Sequence, residues 1–136
     1  MNYDTFVDQV AQRTGTSSQR AVELIQATLA TLADRLTGGE VLDLAVQLPE
    51  PLRLPLRPTP ATEAAERFGA GEFVARVALR ARIDESAARG VISAVFTTIR
   101  EAVTGGEFDE LVVQLPRDYR DIVEPAMAPG ATLRRR

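Results

Sequence analysis

Residues 37–49 read TGGEVLDLAVQLP, and residues 104–116 read TGGEFDELVVQLP. Extending that match outward at the same offset of 67 positions aligns residues 6–55 with residues 73–122 without a gap, and 19 of the 50 pairs are identical. Identity at that level within one chain marks an internal repeat. The chain is therefore read as two copies of one unit.

Each copy carries helical periodicity. Phe6, Val7, Val10 and Ala11 recur as Phe73, Val74, Val77 and Ala78, the stripe of a short amphipathic helix. Arg13 and Arg80 fall in its last turn, where a cation complements the negative end of the helix dipole; a repeated anion contact is the functional alternative. A longer helix follows, with Ala21, Leu24, Ile25, Thr28, Leu32 and Leu36 matched by Ala88, Val91, Ile92, Val95, Ile99 and Val103. Ser17 and Asp84 stand at equivalent N-cap positions, where either side chain accepts from first-turn amides.

The pairs Gly38-Gly39 and Gly105-Gly106 are expected to end the long helix through a left-handed glycine, with Glu40 and Glu107 in the first turn of a third helix. A phosphate cradle is the alternative, but there is no GxxxxGK[ST] pattern and no preceding strand. The third helix aligns Val41, Leu44, Ala45 and Leu48, and in the second copy Phe108, Leu111, Val112 and Leu115, before Pro49 and Pro116 stop it. Gln47 and Gln114 are assigned to the unpaired carbonyls at that helix end. A binding role for the two Gln-Leu-Pro corners is the sharper alternative. A fourth helix starting at each proline is cut short by Pro51 and Pro55 in the first copy and runs further, over residues 117–123, in the second.

The resulting division is residues 1–56 as the first repeat, 57–69 as a Pro-rich linker with a short helix over 62–67, 70–125 as the second repeat, and 126–136 as a flexible tail. Five of the eight prolines lie in residues 49–60, which are expected to be extended.

Composition excludes much chemistry. The sequence has no Cys, no His and no Lys, so thiolate, imidazole and Schiff-base sites are impossible and an enzyme is not expected. Nothing in the sequence fixes two carboxylates at the separation a hydrolase needs. Asp109-Glu110 and Asp118 with Asp121 offer hard oxygen ligands, but neither matches a calcium loop, and such groups are usually solvated; no metal or cofactor is expected. A formal charge of −3 argues against a general polyanion binder, and Arg134-Arg135-Arg136 alone give little affinity at physiological salt. The start, MNYDTFVDQV, lacks a basic segment before an apolar run, and no run is long enough to span a membrane, so a cytoplasmic location without a membrane partner is expected.

The doubled pattern of FVxxVAxR, a long helix, TGGE and VQLP resembles the uncharacterised bacterial family called domain of unknown function 2267, over nearly the whole chain. That resemblance implies a helical protein with two related halves and transfers no catalytic or binding residue. Residues 6–15, with the long helix to Gly39-Glu40, are also similar to the helical half of the histone-like HU proteins. There the chain continues into a sheet and basic arms that hold DNA, whereas here it continues into a third helix and the Leu-Pro corner.

The expected fold is all-α, two tandem pseudo-symmetric helical repeats packed as a compact bundle. The expected function is a non-catalytic protein-interaction or self-association module, with a nucleoid-associated or regulatory DNA-binding protein as the disfavoured alternative. The candidate interaction residues, with structure as their competing role, are Gly38, Gly39, Glu40, Gln47, Leu48 and Pro49, with Gly105, Gly106, Glu107, Gln114, Leu115 and Pro116.

Overall fold

Helices in this chain start where a side chain takes over an orphan amide of the first turn. The computed structural model describes residues 1–56, 67–120 and 122–123. Helix α1 (Tyr3–Thr14) starts behind Asn2, whose Oδ1 accepts from Thr5 N at 2.8 Å. Helix α2 (Ser18–Arg35) starts behind Ser17, and α3 (Gly38–Gln47) behind Thr37. In the second copy, α4 (Ala70–Ala81) follows Gly69, α5 (Glu85–Ala102) follows Asp84, and α6 (Gly105–Val113) follows Thr104. Three 3-10 turns complete the order: η1 (Glu50–Leu52), η2 (Leu54–Leu56) and η3 (Arg117–Tyr119). The first residues of α1 and α4, α2 and α5, α3 and α6, and η1 and η3 all stand 67 positions apart.

The apolar stripes read from the sequence are the buried ones, apart from Val103 and Val112, which are half-buried. Phe6, Val10, Ile25, Leu32, Phe73, Val77, Ile92 and Ile99 are each fully enclosed, and one continuous core cluster draws on all six helices. Burying a side chain of this size contributes about 1.5–3 kcal/mol. The two copies thus share one core.

The packing between copies is reciprocal. Besides packing within each copy, α1 packs on α5 and α2 packs on α4, while α2 meets α5 and α3 meets α6. Arg13 and Arg80 fasten these crossings. Arg13 Nη1 donates to Thr98 Oγ1 at 2.7 Å and Nη2 bridges to Glu101 at 2.6 Å. Arg80 Nη1 donates to Thr31 Oγ1 at 2.8 Å and Nη2 bridges to Asp34 at 2.9 Å. Both threonine hydroxyls in turn donate one turn back, to Ala94 O and Ala27 O. The repeated arginine therefore clasps the other copy, a role that the helix-end position alone does not reveal.

Three local expectations are corrected. Gly38-Gly39 and Gly105-Gly106 do not end the long helices: Leu36 (φ −91°) and Val103 (φ −114°) do so in extended conformation, and the glycines open α3 and α6. The left-handed positions among the described residues are Gly15 and Arg82, after the first helix of each copy. The start of the proline-rich segment is not extended, because Pro51 and Pro55 sit inside η1 and η2, which turn Leu52 and Leu56 into the core. The expected fourth helix of the second copy opens as η3, with helical residues following at Arg120, Ile122 and Val123. Residues 57–66 of the linker, with most of its expected short helix, lie outside the described residues, as does the 126–136 tail.

Candidate functional site

The two TGGE segments meet where α3 packs on α6. Thr37 Oγ1 accepts from Glu40 N at 3.2 Å, and Thr104 Oγ1 accepts from Glu107 N at 3.1 Å. A threonine followed three residues later by glutamate is the pattern of a capping box, in which the glutamate would reach back to the threonine's own amide. Here glutamine from the other copy takes that amide. Thr104 N donates to Gln47 Oε1 at 2.9 Å, and Thr37 N donates to Gln114 Oε1 at 3.3 Å.

This exchange corrects the role assigned to the glutamines. In the first copy the carbonyls at the end of α3 are served by Arg53, whose Nε donates to Leu48 O at 3.1 Å and whose Nη2 donates to Val46 O at 3.3 Å. With those carbonyls served, Gln47 is available to the opposite helix start. Leu48 is buried and Leu115 nearly so, as core residues, while Pro49 and Pro116 precede the 3-10 turns. A Cβ at Gly39, Gly105 or Gly106 would meet no atom within 4 Å, so packing does not explain these glycines.

With its capping duty removed, each glutamate turns toward the other copy. Glu40 and Glu107 are 5% and 7% exposed, and Oε2 of each is sealed from solvent without a hydrogen-bond partner. One turn further along, Asp43 and Glu110 present exposed carboxylates, and a ligand oxygen from each of the four residues lies within 4.8 Å of the others. Among the described residues no arginine makes an ion pair with any of the four. Burial pushes Glu40 up to about 8 from 4.5, helped by the facing Glu107 carboxyl and by the negative charges of Glu107, Asp43 and Glu110. At neutral pH Glu40 accordingly keeps its proton.

A shallow groove of about 320 Å³ opens onto Glu40, lined also by Asp109, Glu110, Val113 and Gln114. Val113, in its lining, is 81% exposed, and Leu42 and Val46 on α3 are 52% and 68% exposed. Val46 and Val113 are equivalent positions in the two copies. No basic residue occurs in residues 37–52 or 104–116, so α3 and α6 are themselves acidic and apolar, with Arg53 beside Val46 and Arg117 and Arg120 beside Val113 at their border.

Of the residues singled out from the sequence, the structure thus gathers Glu40, Gln47, Glu107 and Gln114 into one site. Asp43 was not recognised there, and Glu110 was considered only beside Asp109. The signal for both is Glu40-x-x-Asp43 against Glu107-x-x-Glu110, an i, i+3 acidic pair at the same place in each copy. Asp118 is elsewhere and has a structural task, its Oδ2 accepting from Ala70 N at 3.0 Å. Asp121 lies outside the described residues.

The protein is thus an all-α, two-copy helical bundle with a buried carboxylate pair where the third helices meet. The family model described as "Uncharacterized conserved protein (DUF2267)" matches residues 3–122, and the chain belongs to that family. No curated protein matches it. No described helix is long and apolar enough to cross a membrane.

Proposed function

We propose that this chain is a non-catalytic interaction module that docks a partner protein on the α3–α6 end, through a partner segment combining apolar and basic side chains. The observation carrying this reading is the conjunction of exposed Val46 and Val113 with Asp43, Asp109 and Glu110 on two helices, α3 and α6, that carry no basic residue. Exposed apolar side chains clustered in this way favour association. The acidic surround selects an oppositely charged partner and disfavours face-to-face pairing of two copies.

An enzyme reading gains one supporting feature, a carboxyl group raised to about 8 beside a groove. Against it, Oε2 of both buried glutamates is closed to solvent, and the two carboxyls face each other instead of flanking a space for substrate. A DNA-binding role draws no support from this acidic end, and Arg13, Arg35, Arg76 and Arg80 are all engaged within the bundle.

Zero-length carbodiimide coupling tests the proposal directly. The chain has no lysine, so every carboxylate-to-lysine link must join it to a different protein. The links are expected at Asp43, Asp109 and Glu110, and a Val46→Glu/Val113→Glu variant with unchanged circular dichroism should lose them. Links confined to the α1 and α2 surfaces would overturn the docking face. A homodimer dissolved by the same variant would replace the partner with a second copy, and salt-dependent DNA binding without protein links would replace it with nucleic acid.

A further inference from the structure

The same end of the molecule holds an arrangement that docking of a partner does not use. Glu40 and Glu107 are more than nine-tenths buried, and one oxygen of each is sealed and unpartnered. A buried polar atom without a partner loses its water and gains nothing in exchange, so such atoms call for a ligand, a water or a shared proton. Here two of them belong to a group of four carboxylates with no counter-cation among the described residues.

We propose that Glu40, Asp43, Glu107 and Glu110 form a binding site for one hard divalent cation, bridging the two copies. Three features carry this, independently of the docking reading. The donors are all carboxylate oxygens, with no nitrogen or sulfur to select a softer metal. A ligand oxygen from each of the four lies within 4.8 Å of the others, close enough for one ion to be shared by all four. The groove beside Glu40, Asp109 and Glu110 supplies an approach from solvent and room for waters to complete the coordination.

The buried pair supplies one ligand from each copy and the exposed pair a second from each, so the ion ties α3 to α6. Gln47 and Gln114 act as positioning residues. By taking the Thr104 and Thr37 amides, they release the glutamates from capping and leave them turned inward.

The test is calorimetric titration of the full, chelator-stripped chain with Ca²⁺, Mn²⁺ and Mg²⁺ separately at neutral pH, with melting followed by circular dichroism. The expected result is one Ca²⁺ or Mn²⁺ per chain, weaker Mg²⁺ because that ion gives up its waters reluctantly, and a raised melting temperature. Glu107→Gln should weaken binding at least about tenfold, the scale on which altering a metal site's supporting shell acts. Asp43→Asn/Glu110→Gln alters only exposed side chains, so it keeps the test valid if the buried variant unfolds, and it too should weaken binding. The proposal is overturned if no cation gives heat or a melting shift at millimolar concentration, or if binding persists unchanged in the folded variants.

Discussion

The two copies enter and leave their first helix by different means. Asn2 caps α1 with its own side chain, whereas Gly69 has none, and α4 is capped from 48 residues away by Asp118. A Cβ at Gly69 would lie 2.5 Å from the same Asp118 oxygen, so a side chain there would displace the capping carboxylate. At the other end, Gly15 takes φ 70° and Arg82 takes φ 60°, a conformation that costs a side-chain-bearing residue but not glycine. The cores differ too. Phe73 contacts Phe68, Phe96 and Tyr119 at ring separations of 5.4–6.4 Å. The positions corresponding to Phe96 and Tyr119 in the first copy are Leu29 and Leu52.

Set against these differences, several of the residues identical in both copies reach across to the other. They are the arginine–threonine clasps, the glutamine-to-threonine exchange and the facing glutamates. Caps and core shapes vary because several residues satisfy one orphan amide or fill one volume. A contact exchanged between copies must work from both sides at once, which restricts it more.

The largest expected effect concerns the shared core. A chain cut to residues 1–56 exposes the surfaces that α1 and α2 bury against α5 and α4, so it should show little helix by circular dichroism at micromolar concentration, or fold only as an associated species by sedimentation. A cooperative monomeric fold would break the claim. Next, Phe73→Ala should cost about 3–5 kcal/mol in denaturant unfolding, and more than Phe6→Ala by about 0.5–1.5 kcal/mol for the lost ring contacts. Equal losses would show that the aromatic packing adds nothing beyond burial. The smallest effect is at the left-handed turns: Gly15→Ala should destabilise by about 1 kcal/mol and Arg82→Gly should not destabilise, as read from paired melts.

Much of the fold was legible because repetition and periodicity are local signals. The offset of 67 located the helices, and the apolar stripes named the faces that are buried. The glycine pairs misled because a glycine after a helix and a glycine beginning the next one look alike in sequence, and Thr37 and Thr104 were the cues that decide between them. The site was half legible. Glu40 and Gln47 stood out by repetition, but their partners lie 57 or more positions away, and only the packing of α3 on α6 shows that the glutamine caps the other copy and the glutamate faces its counterpart.

That facing pair is tested most directly by stability against pH in the presence of chelator. The folded chain holds Glu40's proton up to about pH 8, whereas the unfolded chain releases it above about 4.5, so the stability present at low pH is lost as pH rises through 8. Asp43, Glu107 and Glu110 are the charged groups facing Glu40, and all three act in this direction. Unfolding free energy measured in urea from about pH 5 to pH 9 should therefore fall, and Glu40→Gln, which keeps the shape of the protonated acid, should remove most of the fall and be more stable than the natural chain at the alkaline end. A flat profile for the natural chain, or an undiminished fall in Glu40→Gln, would contradict the buried carboxylate pair at the centre of this account.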